Sequence, residues 1–178
     1  MAKALLITTT DLKKYSVIDG NLDNDRFIQY IGISQDIHLQ NYTGTDLLVK
    51  IQALITAGTI GDAGNEAYNT LLVTYLKPML IHWAMVEYLP FAAYQIKNAG
   101  VLKHTSETSV SVDKNEVDFL IQRERDIAEN YTRRFIDFMC YNSGDYPEYD
   151  SNTNEDVRPD KNTDFSGWLL GLLILFLI

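Results

Sequence analysis

The sequence predicts an all-α protein: a small helical bundle around a long central helix kinked at proline, with a short hairpin or loop insertion and an extended C-terminal tail. Three observations predict it. First, the run Tyr68–Tyr94 is nearly uncharged, broken only by Lys77 and Glu87. Its Tyr68, Leu71, Tyr75, Met79, Trp83, Val86 and Leu89 recur at the three- and four-residue steps of one helix face. Second, the back of that run is apolar too (Val73, Leu76, Leu80, Met85), and a helix apolar all round is one enclosed by others. Third, Lys114–Tyr141 carries a second stripe, Val117, Leu120/Ile121, Glu124, Ile127/Ala128, Tyr131, Phe135 and Phe138, spaced to pack along the first.

In chain order, residues 4–7 form an apolar lead, and Thr9 or Thr10 can cap a short helix over Asp11–Tyr15. Asp19, Asn21, Asp23 and Asp25 resemble the start of a calcium loop. An EF-hand needs Gly at position six and Glu at twelve, however, where this chain has Asn24 and Tyr30. The stretch reads better as a loop ending in Asp23 as an N-cap. Helices follow over Asp25–Tyr42, stopped by Gly44, and over Thr45–Thr56. Gly58, Gly61 and Gly64 punctuate a connector that lacks the Lys-Ser/Thr ending of a phosphate loop. Pro78 should kink the central helix and Pro90 interrupt it again, because proline removes a hydrogen bond and crowds the preceding turn. Gly100 should stop it. Val101-Leu102 and Val110–Val112 then flank a polar turn expected to be a hairpin or ordered loop.

At 178 residues the chain can build one core, with a helical domain at 1–141, an acidic flexible tether at 142–165 and an apolar segment at 166–178. The net charge is −9, of which the tether holds −5, and such a balance argues against an electrostatic grip on nucleic acid. Cys140 is the single cysteine, which suits a reducing compartment, and the short apolar lead is not expected to act as a secretory signal. His38, His82 and His104 fall on separate elements without metal-ligand spacing, and no nucleophile elbow, kinase set or HExxH occurs. No metal, cofactor or catalytic residue is therefore expected. His82 reads as a hydrogen-bonded core residue, and Glu124 on an apolar stripe as a carboxylate with a partner on another subunit.

Two stretches carry functional expectations. The outer face of the last helix alternates charge: Arg123, Arg125, Asp126, Glu129, Arg133, Arg134 and Asp137. Arg123, Glu129, Arg133 and Arg134 are expected at a subunit interface, unless the face is simply solvated, and Glu129 and Arg133 stand as an i, i+4 pair. The end of the chain is twelve residues without charge, with Trp168, Leu169, Leu170, Leu172, Leu173, Ile174, Leu175, Phe176, Leu177 and Ile178 as docking residues. As a helix it would span ~18 Å, short of a ~30 Å hydrocarbon core, which weakens the alternative of a small membrane-anchored protein.

The opening of the chain resembles head–tail connector proteins of tailed bacteriophages, the adaptor or head-completion rings beneath the portal. The likeness rests on the short helix begun by Thr9 to Leu12, the acidic loop Asp19 to Asp25 and the helix centre Ile31 to Gln35. It continues in a Gly-broken second helix leading to a long central one, and covers roughly residues 5–141. It is closest to neck ring proteins of crAss-like phages. The resemblance implies a structural virion protein made in the host cytoplasm and assembled as a homo-oligomeric ring, a dodecamer. Such a ring docks on the portal, receives further neck or tail proteins, and lets DNA through its lumen without sequence-specific binding. It implies neither membrane attachment nor catalysis. The apolar terminus is longer and greasier than the family pattern, with the portal or a neighbouring subunit as its expected receiver.

Overall fold

The computed structural model describes residues 3–16, 18, 25–92, 94–97, 100–103, 114–153, 156–163 and 165. They form the all-α bundle that the pattern predicts. Its centre is α6 (Lys77–Tyr88), which packs against α7 (Lys114–Asn142) and α2 (Asp25–Ser34). Around them stand α1 (Thr9–Tyr15), α3 (Gln40–Thr43), α4 (Thr45–Ala57), α5 (Glu66–Leu71) and α8 (Pro147–Ser151). Met79, Leu80, Ala84 and Met85 of α6 are fully enclosed, together with Phe27, Ile31, Leu47, Ile51 and Phe135. Burying each large side chain contributes about 1.5–3 kcal/mol, so this central layer is the main source of stability. Trp83, Val86 and Phe135 are buried as expected, whereas Tyr75, Ile121 and Ile127 are only partly so.

The proline kink takes a specific form. A π turn, Leu72–Leu76, joins α5 to α6, and Lys77 donates its N–H back to the Leu72 carbonyl. Pro78 has no N–H to donate and crowds the carbonyl four residues before it, so a wider turn just upstream relieves the collision. A second π turn, Gln35–Leu39, lies between α2 and α3, where the sequence reads as one uninterrupted helix. At the other end, Leu89–Phe91 tightens into a 3-10 turn at Pro90. The chain then leaves the helix well before Gly100. The hairpin lies at β1 (Tyr94–Lys97) and β2 (Gly100–Lys103), antiparallel with Tyr94 opposite Lys103 and Lys97 opposite Gly100. Gly100 thus opens a strand rather than ending a helix, and Val110–Val112 lie outside the described residues, as do Asp19 and Asp23.

α1 is capped one residue earlier than predicted. The Thr8 hydroxyl accepts from the Asp11 N–H at 3.1 Å, and the Asp11 carboxylate accepts from the Thr8 N–H at 2.9 Å. The apolar lead is pinned by an amide: Gln35 Oε1 accepts from the Leu6 N–H and Gln35 Nε2 donates to the Ala4 carbonyl, both at 3.0 Å. A buried glutamine thereby satisfies backbone that a neighbouring strand would otherwise have to meet.

The stretch read as a flexible tether is structured wherever it is described. Tyr146 and Tyr149 are core residues, and the Tyr146 hydroxyl donates to the Ala67 carbonyl at 3.0 Å. Tyr68 donates to Glu148 Oε2 at 2.7 Å, and burial, with this bond adding to it, raises the Tyr68 pKa. Beyond α8, residues 156–163 lie as a strap over the junction of α3 and α4. Thr45 N–H donates to the Val157 carbonyl at 3.0 Å, Val157 N–H to Thr45 Oγ1 at 3.1 Å, and Asp160 N–H to the Asn41 carbonyl at 2.8 Å. The strap meets a need of α4: Gly44 stands at its N-cap and has no side chain to accept the first amides. Composition suggested little to bury here, but the tyrosines supply the apolar area and the Asn, Asp and Thr residues supply remote caps.

Candidate functional site

Two His–Glu pairs clamp the central helix, one on each side. His82 of α6 lies 2.7 Å through Nδ1 from Glu124 Oε2 on α7, and its ring stacks on Tyr131 with centroids 5.4 Å apart. Glu124 therefore has a partner in its own chain, which corrects the expectation of an intersubunit one. Glu87 of α6 lies 2.8 Å from His38 Nε2, in the π turn after α2. The His38 ring lies nearly parallel to the indole of Trp83 at 3.9 Å, and Trp83 Nε1 donates to Thr132 Oγ1 on α7 at 3.1 Å. Burial lowers the His38 pKa below its ordinary value, more than the Glu87 hydrogen bond raises it, and the Arg125 charge adds to the lowering.

The His82 side opens into a cleft of about 400 Å³ between α1, the π turn, α6 and α7. Asp11, Tyr15, Lys77, Pro78, His82 and Tyr131 line it. Lys77 Nζ is 3.7 Å from Asp11 Oδ2. Among the described residues that line it there is no serine, threonine or cysteine beside the histidine. Among the described residues no group of three or more His, Cys, Asp or Glu side chains is arranged to hold a metal ion.

Of the interface residues named from sequence, Arg123, Arg133 and Arg134 are exposed on α7 and Glu129 is half-buried. The Arg133 guanidinium lies 5.6 Å over the Phe165 ring, and Arg134 lies 5.6 and 5.8 Å over Tyr131 and Tyr75. These two arginines cover aromatic rings of their own chain. Arg123 has no hydrogen bond or ion pair among the described residues. Glu129 and Arg133 are not among the ion pairs of the described residues, and burial raises the Glu129 carboxyl above its usual range. The first turns of α7 leave Phe119 and Leu120 exposed, at 69% and 44%. Trp168 to Ile178 lie outside the described residues.

Sequence reasoning missed the strap and its anchors. Asp156 Oδ2 accepts from Thr45 Oγ1 at 3.0 Å and from Gln40 Nε2 at 2.9 Å, and Asn152 Oδ1 accepts from the Asp46 N–H at 3.4 Å. The available signal was a cluster of Asn, Asp and Thr beside Pro159, the side chains that cap helices.

Fold and surface together define a small helical bundle whose polar contacts hold its own elements together. A family of unknown function, DUF6712, matches residues 39–159, well over half of the chain, and the chain belongs to that family. No curated protein and no solved structure is similar to it.

Proposed function

We propose that the protein is a ring-forming head-to-tail adaptor of a tailed bacteriophage, joining the portal to downstream neck or tail proteins around the DNA channel. The observation that carries the reading furthest is the anchoring of the strap. Phe165 lies edge-on to Tyr42 at 6.2 Å and under Arg133. Phe165, two residues before Gly167, is thus held on the bundle rather than at the end of a free tether. From Phe165 the remaining chain reaches at most about 45 Å, which suits a neighbouring subunit or an abutting ring. Twelve apolar residues exceed what soluble proteins leave in one exposed patch, so a receiving surface on another chain gives them a role. An acidic chain also suits a lumen that DNA must slide through without sticking.

Two variants test the proposal on purified protein and on assembled particles. Deleting 166–178 should leave the bundle folded and abolish stable attachment to the particle. Reversing Arg133 and Arg134 together to Glu should weaken ring formation in negative-stain images and in sedimentation. A wild-type chain that stays monomeric at all concentrations, or normal neck assembly in the truncation, would overturn the reading. Flotation of the full chain with liposomes would instead favour the membrane-anchored alternative.

A further inference from the structure

We propose that the cleft beside His82 binds a neutral aromatic hydroxyl, a phenol, with His82 Nε2 accepting its hydrogen and Lys77 Nζ donating to its oxygen.

The acceptor follows from the pair with Glu124. A carboxylate accepts, so in the 2.7 Å contact the hydrogen lies on His82 Nδ1. The neutral ring then carries its lone pair on Nε2, because the bond made by one nitrogen decides the state of the other. Nε2 makes no hydrogen bond among the described residues. Turning the ring over would forfeit the bond to Glu124. The ring lies 9° from parallel to Tyr131, and the side chain is 17% exposed in a wall of the cleft, within reach of a ligand.

The donor is Lys77. Its Nζ stands 3.7 Å from Asp11 Oδ2, longer than a hydrogen bond. That oxygen already accepts from the Thr8 N–H at 2.9 Å and from the Thr8 hydroxyl at 3.0 Å. The ammonium therefore has hydrogens left to give.

Shape and charge narrow the ligand. A volume of about 400 Å³ suits a small molecule or one side chain. Tyr15 and Val73, both more than half exposed, join Pro78, Ile81 and Tyr131 in giving apolar and aromatic walls, against which a flat ring packs well. A carboxylate brings only acceptors, which the Nε2 lone pair repels, and it would also face Asp11. An ammonium would satisfy Nε2 but meet Lys77. A hydroxyl donates and accepts through one atom and carries no charge.

The experiment uses the full chain labelled with ¹⁵N. Long-range proton–nitrogen spectra of the histidine rings are followed at mildly alkaline pH while phenol is added. The expected result is a saturable shift of His82 Nε2 with His38 unmoved. The response should be at least tenfold weaker with anisole, the methyl ether that has no hydrogen to donate. It should also be several-fold weaker in Lys77→Met, with the rest of the spectrum unchanged. Equal responses to phenol and anisole, or wild-type affinity in Lys77→Met, would overturn the site. Benzamide or benzoate saturating it at lower concentration than phenol would overturn the assignment to a neutral hydroxyl. Tyr141, 89% exposed, could supply the phenol from a second copy. A Nε2 signal that moves on dilution of the wild type but not of Tyr141→Phe, with a sedimentation coefficient lowered by phenol, indicates that source. Constancy of both indicates a free phenol, and either outcome supports the cleft.

Discussion

Replacing Gly44 by alanine tests whether the strap is part of the fold. Gly44 has φ +74° and ψ 165°, a region reserved almost wholly for glycine. An added Cβ would lie 2.7 Å and 2.8 Å from Pro159 Cδ and Cγ, and 2.9 Å from Asn152 Oδ1. Backbone strain alone costs about 1–3 kcal/mol. The collision is with a proline ring and a buried amide, neither of which can rotate away, so relief requires the strap to lift. Lifting forfeits two backbone–backbone bonds, Thr45 to Val157 and Asp160 to Asn41, and the bond from the Val157 N–H to Thr45 Oγ1, worth about 1 kcal/mol net each. Freedom regained by the released strap offsets part of this. The net loss should be about 2–4 kcal/mol, or a melting temperature about 5–15 °C lower for a chain of this size. The control is Gly64→Ala, where φ is +92° and a Cβ meets nothing within 4 Å, so only strain applies. Hydrogen exchange by mass spectrometry should show the Val157 and Asp160 amides exposed in Gly44→Ala and protected in Gly64→Ala. Equal stability losses with both amides still protected would refute the reasoning.

Thr132→Val removes the acceptor of the Trp83 indole N–H and should cost about 1–3 kcal/mol in urea unfolding, with Thr132→Ser near wild type; equal stability of the two would count against it. The lowered pKa of His38 makes the neutral ring the native form, so its stability contribution is full above 6.5 and lost as pH falls through the depressed value. His38→Gln should therefore flatten the loss of stability between pH 7 and pH 5, whereas parallel pH profiles would exclude the effect. Asp11 and Asp150, whose pKa values lie below 3.8, act in the same sense only at lower pH, and Glu129, raised above 4.5, acts in the opposite sense.

Periodicity made the central helix, the last helix and the burial of Trp83 legible, because an apolar stripe reports directly on packing. It read His82 correctly as hydrogen-bonded, but the ring is only partly buried and lines a cleft rather than the core. It did not reveal that Glu124 is its partner, since the two stand 42 residues apart and pattern reading is local. The π turns escaped for a related reason: one extra residue per turn shifts a stripe slightly without breaking it. The hairpin was expected a few residues late because Pro90, rather than Gly100, ends the helical path. The strap was least visible. It is built from polar side chains that satisfy backbone across more than a hundred residues, and composition gives such residues the same look as a disordered tail.

The strap also fixes an order of events. It joins Gln40 and Thr45 to Asp156 and Val157, partners 111 to 116 residues apart, and these lie near the two ends of the span shared with the family. Closing a loop of that length in the unfolded chain would cost about 4 kcal/mol of entropy, most of which is met once α8 packs beside α4. Such a closure is expected to form after the bundle and to open before it, an order that hydrogen exchange at the Val157 and Asp160 amides would test. Opening the strap alone would free Phe165 from Tyr42 and Arg133 without melting a core helix.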